Sequence, residues 1–148
     1  MAIKWDSRLS VGNAYIDLEH RLIISLINAL EAVLRHPDEK DSLKFFIDQL
    51  YEFAGDHFRH EEKLQIKFMY PHYEENKKGH EVLMKELDAI KNIIYRFVEK
   101  TDTSPEETSE TGKRVSLLIR DWFVDHIVKS DMKMKGLMDH ASYPPPAK

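Results

Sequence analysis

Four stretches of this chain repeat apolar residues every three to four positions, and each is ended by a proline or a polar break. That period is one face of an α-helix, so the pattern predicts four amphipathic helices. The first starts at Asp17 and carries Leu22, Ile23, Leu26, Ile27, Leu30 and Leu34; His36-Pro37-Asp38 ends it, because the residue before a proline is pushed out of helical geometry. Asp38 or Asp41 is placed to cap the second, whose stripe runs Phe45, Leu50, Phe53, Ala54, His57, Glu61, Leu64 and Phe68. Tyr70-Pro71 breaks that helix. The third runs from about Tyr73 to Lys100 with Asn76, His80, Leu83, Leu87, Ile90, Ile94 and Phe97 on its stripe. Thr101 to Gly112 is polar, contains a proline and lacks apolar side chains, so it reads as a solvated loop that includes the acidic run Pro105 to Glu110. The fourth helix then carries Val115, Leu118, Ile119, Trp122, Phe123 and His126. The residues before Asp17 form an ordered arm, and Ser142 to Lys148, with its three prolines, an extended tail. The expected fold is all-α: an antiparallel up-down-up-down four-helix bundle with an N-terminal arm, one domain over 1–140 and a C-terminal tail over 141–148.

Composition narrows the chemistry. At 148 residues the chain is long enough to bury one core without staples. It has no cysteine, which excludes disulfides, thiolate nucleophiles, zinc fingers and iron–sulfur clusters together. Any metal must therefore be held by nitrogen and oxygen. A net charge of −4 with mixed signs offers no basic stripe for nucleic acid. No apolar run approaches the roughly 18 residues of a membrane span, and Met1 to Ser10 lacks the blocks of a signal peptide, so a cytoplasmic protein is expected. Histidine is the outlier, at 8 residues.

Several of those histidines interrupt the apolar stripes. His57 and Glu61 are four residues apart and project from one helix face with Phe53, Ala54, Leu64 and Phe68. A carboxylate there is either buried against a strong partner or at the edge of the stripe beside a lysine. His80 sits beside Leu83, Met84 and Leu87, His126 follows Trp122 and Phe123, and His20 opens the first helix. One histidine on an apolar face is commonly a satisfied core residue. Four, on four helices, with an inward glutamate, point to paired metal ions held between facing helices. Imidazole and carboxylate without sulfur favour iron, manganese or zinc. Asp131 lies five residues after His126, about 140° around an ideal helix, so spacing alone makes it a surface aspartate unless the helix unwinds.

The order and spacing of these residues resemble the bacterial hemerythrin family. The likeness runs through D-L-E-H-R-L-I (17–23), H-F-R-H-E-E (57–62), Y-P-H-Y-E-E-N-K-K-G-H-E (70–81) and D-W-F-V-D-H-I-V-K-S-D (121–131), with the lead-in Trp5 to Gly12, and spans about Trp5 to Leu137. It implies a non-heme di-iron centre, two iron ions with a bridging oxygen, that binds dioxygen reversibly as a carrier, store or sensor rather than as an enzyme. By this resemblance His20 and His57 hold the iron with the open position, His80 and His126 hold the other, and Glu61 and Asp131 bridge the two. Trp122, Phe123, Ile23, Ile24 and Trp5 would wall the dioxygen pocket, a role that plain core packing also fits.

At one position the chain departs from the family pattern. Asn76 stands four residues before His80, where the family places a further ligand histidine. An amide is at best a weak ligand, so the second iron is short of a nitrogen donor. His72 lies one turn earlier, at the helix start, and such positions seldom reach a mid-bundle site. An open place at this iron is what a peroxide- or oxygen-reducing enzyme would use. A metal- or redox-sensing module with an unknown protein partner is the other alternative; a chain that stops about twenty residues after His126 leans toward a stand-alone protein. His60, beside Glu61 but rotated off the stripe, reads as solvent-facing, and His36 and His140 as helix-end residues. Tyr51, Tyr95 and the methionines at 132, 134 and 138 suggest a partner-binding surface, though helix packing explains them as well.

Overall fold

A computed structural model of the chain describes residues 2–36 and 38–138. It contains four long helices: α1 (Ala14–Leu34), α2 (Lys40–Lys67), α3 (Tyr73–Glu99) and α4 (Pro105–Lys129), with single 3-10 turns at Ser7–Leu9 and Asp131–Met134. Each helix packs on the next and α4 closes onto α1, which is the antiparallel bundle expected from the pattern. Strands are absent among the described residues. None of the described helices is long and apolar enough to cross a membrane. The expected tail from 141, and His140, lie outside the described residues.

The core is a continuous apolar column in which Ile27 and Leu30 of α1, Leu43, Ile47 and Leu50 of α2, Ile94 of α3 and Ile119 of α4 are fully or almost fully buried. Burying each such side chain is worth about 1.5–3 kcal/mol. A smaller cluster of Val11, Ile16, Leu64, Tyr70, Met134 and Met138 plugs the end of the bundle where α1 begins and α4 ends.

The helix ends show where the pattern misleads. α1 starts at Ala14, not Asp17, because the Asn13 side chain accepts from the Tyr15 and Ile16 amides, both at 3.0 Å. Asp17 instead ties down the arm, accepting from Val11 N at 2.9 Å and Ser10 Oγ at 2.5 Å. Asn28 fastens the arm further along by exchanging two 2.9 Å hydrogen bonds with the Ile3 backbone. Neither Asp38 nor Asp41 caps α2; Glu39 occupies the cap without a side-chain bond, and Asp41 lies in the first turn. The segment 101–112 is not all loop. α4 begins at Pro105, with Ser104 Oγ accepting from Glu107 N at 3.1 Å, proline in the first turn and Glu106 and Glu107 against the positive end of the helix dipole. Its first two turns are polar because they are largely exposed, so the apolar period starts only at Val115. Phe45, Phe68, Leu22 and Leu118, expected on inward stripes, are exposed, since a helix buries a narrower arc than its apolar residues span.

Candidate metal centre

The half of the bundle where α1 begins and α4 ends holds a cluster of polar side chains in an otherwise apolar core. His20 comes from α1, His57 and Glu61 from α2, His80 from α3, His126 from α4 and Asp131 from the turn after it. All six are buried, with Glu61 and Asp131 at 0% exposure. The reading of Asp131 as a surface residue by angle is overturned. α4 ends at Lys129, and Ser130 keeps the right-handed region with φ drawn out to −113° (ψ −58°). The chain then tightens into a 3-10 turn that swings Asp131 inward.

These six residues form two overlapping groups, His20, His57, Glu61 and Asp131 in one and Glu61, His80, His126 and Asp131 in the other; within each, one donor atom per residue lies within 4.8 Å of the rest. Glu61 and Asp131 belong to both and divide their oxygens between them. Glu61 Oε2 lies 3.2 Å from His57 Nε2, and Oε1 lies 3.2 Å from His80 Nε2. Asp131 Oδ2 lies 2.9 Å from His20 Nε2, and Oδ1 lies 3.0 Å from His126 Nε2. The result is two positions with the same donors: two imidazole nitrogens and one oxygen from each shared carboxylate.

The donor set suits cations. The Nε2 atoms of all four histidines, both Asp131 oxygens and Glu61 Oε2 are buried without a hydrogen-bond partner among the described residues. Such orphaned groups each cost about 1–3 kcal/mol unless something binds them. A pair of divalent ions would take up all of them at once, and nitrogen and oxygen ligands suit iron or manganese.

The electrostatics carry the same message. Burial and the neighbouring Asp131 carboxylate work to raise Glu61, but contacts with His57 and His80 outweigh them and hold it below the usual carboxylate range. Asp131 is likewise opposed by burial, yet His126 and His20 hold it well below that range. Burial favours neutral imidazoles, and it wins at His20, helped by the nearby His57. At His57 the carboxylates of Glu19 and Glu61 override it and raise the group to about 10; at His80, Glu61 and Glu62 raise it to about 9. Two buried anions thus draw positive charge into the core from whatever cation or proton can supply it.

Two further carboxylates aim the imidazoles. His57 Nδ1 donates to Glu19 Oε1 at 3.2 Å, and His80 Nδ1 to Glu62 Oε2 at 2.8 Å. Each bond fixes the tautomer that leaves Nε2 free to face the centre. Glu19 also accepts from His60 Nδ1 at 2.9 Å, so His60 does not simply face solvent: its side chain is only 26% exposed. Residue-by-residue reading passed over Glu19 and Glu62, although each directly adjoins a ligand candidate in sequence. Gln65, four residues after Glu61 on the same face and fully buried, was also missed; a polar residue at helical spacing on an apolar stripe was its signal.

Asn76 is buried near the second group, but its Oδ1 accepts from Gln65 Nε2 at 2.9 Å. His72 caps the start of α3 with its side chain 52% exposed and joins neither group. Of the residues expected to wall a pocket, Ile23, Ile24 and Phe123 are buried, and the Phe123 ring meets His20 edge-on at 6.2 Å. Trp122 is buried and donates its indole N–H to Leu83 O at 2.9 Å; it lies beside Phe58, which stacks on His80 at 4.2 Å. Trp5 packs against the core from the arm, with the Arg21 guanidinium 5.4 Å over its ring.

Comparison with known proteins places this centre among relatives. Residues 11–138 match the profile of the hemerythrin HHE cation binding domain. A hemerythrin-like protein of Naegleria gruberi is 28% identical over 134 residues, covering 90% of this chain and 92% of its own. A bacteriohemerythrin of Stenotrophomonas maltophilia is 28% identical over 127 residues, 86% of this chain and 75% of its own. Among solved structures, a wild-type hemerythrin superposes with a TM-score of 0.73 over 94% of this chain and 99% of its own, at 18% identity, a likeness of fold.

Proposed function

Because the chain belongs to the hemerythrin family of cation-binding domains, we propose that its centre holds two non-heme iron ions and binds dioxygen reversibly, as a carrier, store or sensor. The observation that carries this reading is the pair of overlapping donor groups that share Glu61 and Asp131. In this reading His20 and His57 hold one ion, His80 and His126 the other, and each shared carboxylate spans the two. Glu19 and Glu62 keep His57 and His80 turned inward. Asn76, whose side-chain oxygen accepts from Gln65 Nε2, is at most a weak ligand in this reading.

Bound as a ferrous pair, the metal supplies two electrons and an open coordination place for dioxygen. The protein supplies the surroundings. Ile23, Ile24 and Phe123 line the His20 side with apolar surface, which admits an apolar gas and keeps bulk water out. Trp122, whose N–H is spent on Leu83, turns only its apolar body to Phe58 and the imidazoles beyond it. Trp5 covers the bundle from outside.

The test is metal quantification on protein produced with iron, paired with visible spectroscopy. Two irons per chain are expected, with absorption bands that appear when reduced protein meets air and vanish on deoxygenation. Irreversible bleaching with consumption of oxygen or peroxide would replace the carrier reading by an enzymatic one. Fewer than two metals and no spectral change would reject both.

A further inference from the structure

The two metal positions are matched in protein donors, yet their surroundings differ. Beside the first lie Ile23, Ile24 and Phe123. Beside the second, three polar side chains meet: Gln65 of α2, Tyr70 of the α2–α3 turn and Asn76 of α3, exposed by 0%, 5% and 6%. The turn itself brings them together. Met69 takes a left-handed φ of 53°, which folds Tyr70 back so that its amide donates to Gln65 O at 2.9 Å.

Gln65 is held by its nitrogen. Nε2 donates to Asn76 Oδ1 at 2.9 Å, faces Met134 Sδ at 3.3 Å and reaches Glu61 Oε1, the oxygen turned to the second position, at 3.5 Å. The other end, Gln65 Oε1, is buried without a hydrogen-bond partner, and so is the Tyr70 hydroxyl. Tyr70 packs with Leu64 and Met134, the methionine whose sulfur faces Gln65 Nε2. A cavity of about 20 Å³ is lined by Tyr70, His72, Glu75, Asn76, Ser130 and Lys133. That is room for about one water. On its outer side the exposed Lys133 and Glu75 pair at 3.6 Å.

An unpartnered hydroxyl donor and an unpartnered carbonyl acceptor, on buried residues next to Glu61 and Asn76, suit a ligand that both accepts and donates a hydrogen bond. Resting on the metal reading above, we propose that the second position, between His80 and His126, keeps an exchangeable place for a protic oxygen ligand. In the resting protein that ligand is water, held by Tyr70 and Gln65. Asn76 is then a positioning residue. By accepting from Gln65 Nε2 it decides which end of the Gln65 amide is left for the ligand. The chain thus sets apolar side chains beside one ion and a buried polar group beside the other.

The test counts exchangeable waters on protein loaded with Mn(II), by solvent-proton relaxation, alongside the number of ions bound. Asn76→His, which offers an imidazole to the second position, should bind two ions and lose about one exchangeable water per chain. Tyr70→Phe should keep the ions and shorten the residence time of that water several-fold, a readout that a merely structural role would not move. Far-UV circular dichroism verifies that each variant is folded; should Asn76→His not fold, Tyr70→Phe decides alone. Two bound ions with the same water count in Asn76→His, or an unchanged residence time in Tyr70→Phe, would overturn the proposal while leaving the metal centre standing. Fewer than two ions in the unaltered protein would remove the metal centre and this proposal together.

Discussion

The same four helices build two unlike halves. In the half where α1 ends and α4 begins, Leu30, Leu43, Ile47, Leu50, Ile94 and Val115 fill the space between the helices. Glu31, the buried charged group there, has its own partner, the Arg120 guanidinium bonding both its oxygens at 2.6 and 3.1 Å. In the other half the inward positions are taken by histidines and carboxylates. Every buried side-chain nitrogen or oxygen left without a hydrogen-bond partner among the described residues lies there. The first half is complete as a folded core. The second is complete only with something bound, so stability and function are assigned to different ends of the same helices.

Removing the metal should therefore have the largest effect, and it should be local. At free metal a thousandfold above Kd, each of the two ions stabilises the native state by about 4 kcal/mol. For a domain of this size the two together correspond to a fall in Tm on the order of 20 °C on chelation. Hydrogen exchange should quicken around His20, His57 and His126 and stay slow around Ile47, Leu50 and Ile94. Equal quickening at both ends would break the comparison.

Truncation at the apolar end makes the reciprocal claim. Leu50 is fully buried, so Leu50→Ala should cost about 2–5 kcal/mol through lost transfer energy and a residual cavity. The loss should be alike with and without metal, and the protein should still bind two ions per chain. Denaturant unfolding on both forms, with metal quantification, measures this; loss of an ion from the variant would show that the halves are coupled.

Within the metal half, the carboxylates behind the histidines sharpen the picture further. Glu62→Ala frees the His80 ring and Glu19→Ala the His57 ring. Each should weaken one ion and spare the other, by about 10–100-fold in affinity. A stepwise metal titration followed by calorimetry separates the two steps. Weakening of both ions by either variant would argue that the shared carboxylates, not the individual imidazoles, set the affinity.

The sequence made the two halves unequally legible, for physical reasons. Apolar spacing suffices to place helices and their inward faces, because burial depends on one period. It also finds His57, Glu61, His80 and His126, which are polar interruptions of that period. It fails at Asp131, which reaches the centre only because α4 stops at Lys129, an event with no apolar signature; there the family resemblance supplied the residue. Glu19 and Glu62 do not interrupt an apolar stripe in the same way, since they bind the outward nitrogens of the histidines. The partnership of Asn76 with Gln65 joins residues eleven apart on different helices, so only the folded chain displays it.

The smallest predicted effect concerns the one stretch of α4 that belongs to neither half's core. Its first turns, from Pro105, are mostly exposed and bury no apolar stripe, so local chemistry holds them: the Ser104 cap, the proline and the two glutamates of the first turn. Helix nucleation is unfavourable without such support. Ser104→Ala removes the acceptor for Glu107 N and should cost about 1 kcal/mol. Fraying should be confined to about 105–111, because Val115 and Ile119 anchor the helix from there on. Amide exchange should rise in that segment alone, with metal content and the midpoint of chelation unchanged. If the ions at His126 and Asp131 were instead loosened, α4 would be transmitting strain along its length, and the two halves could not be treated as separable.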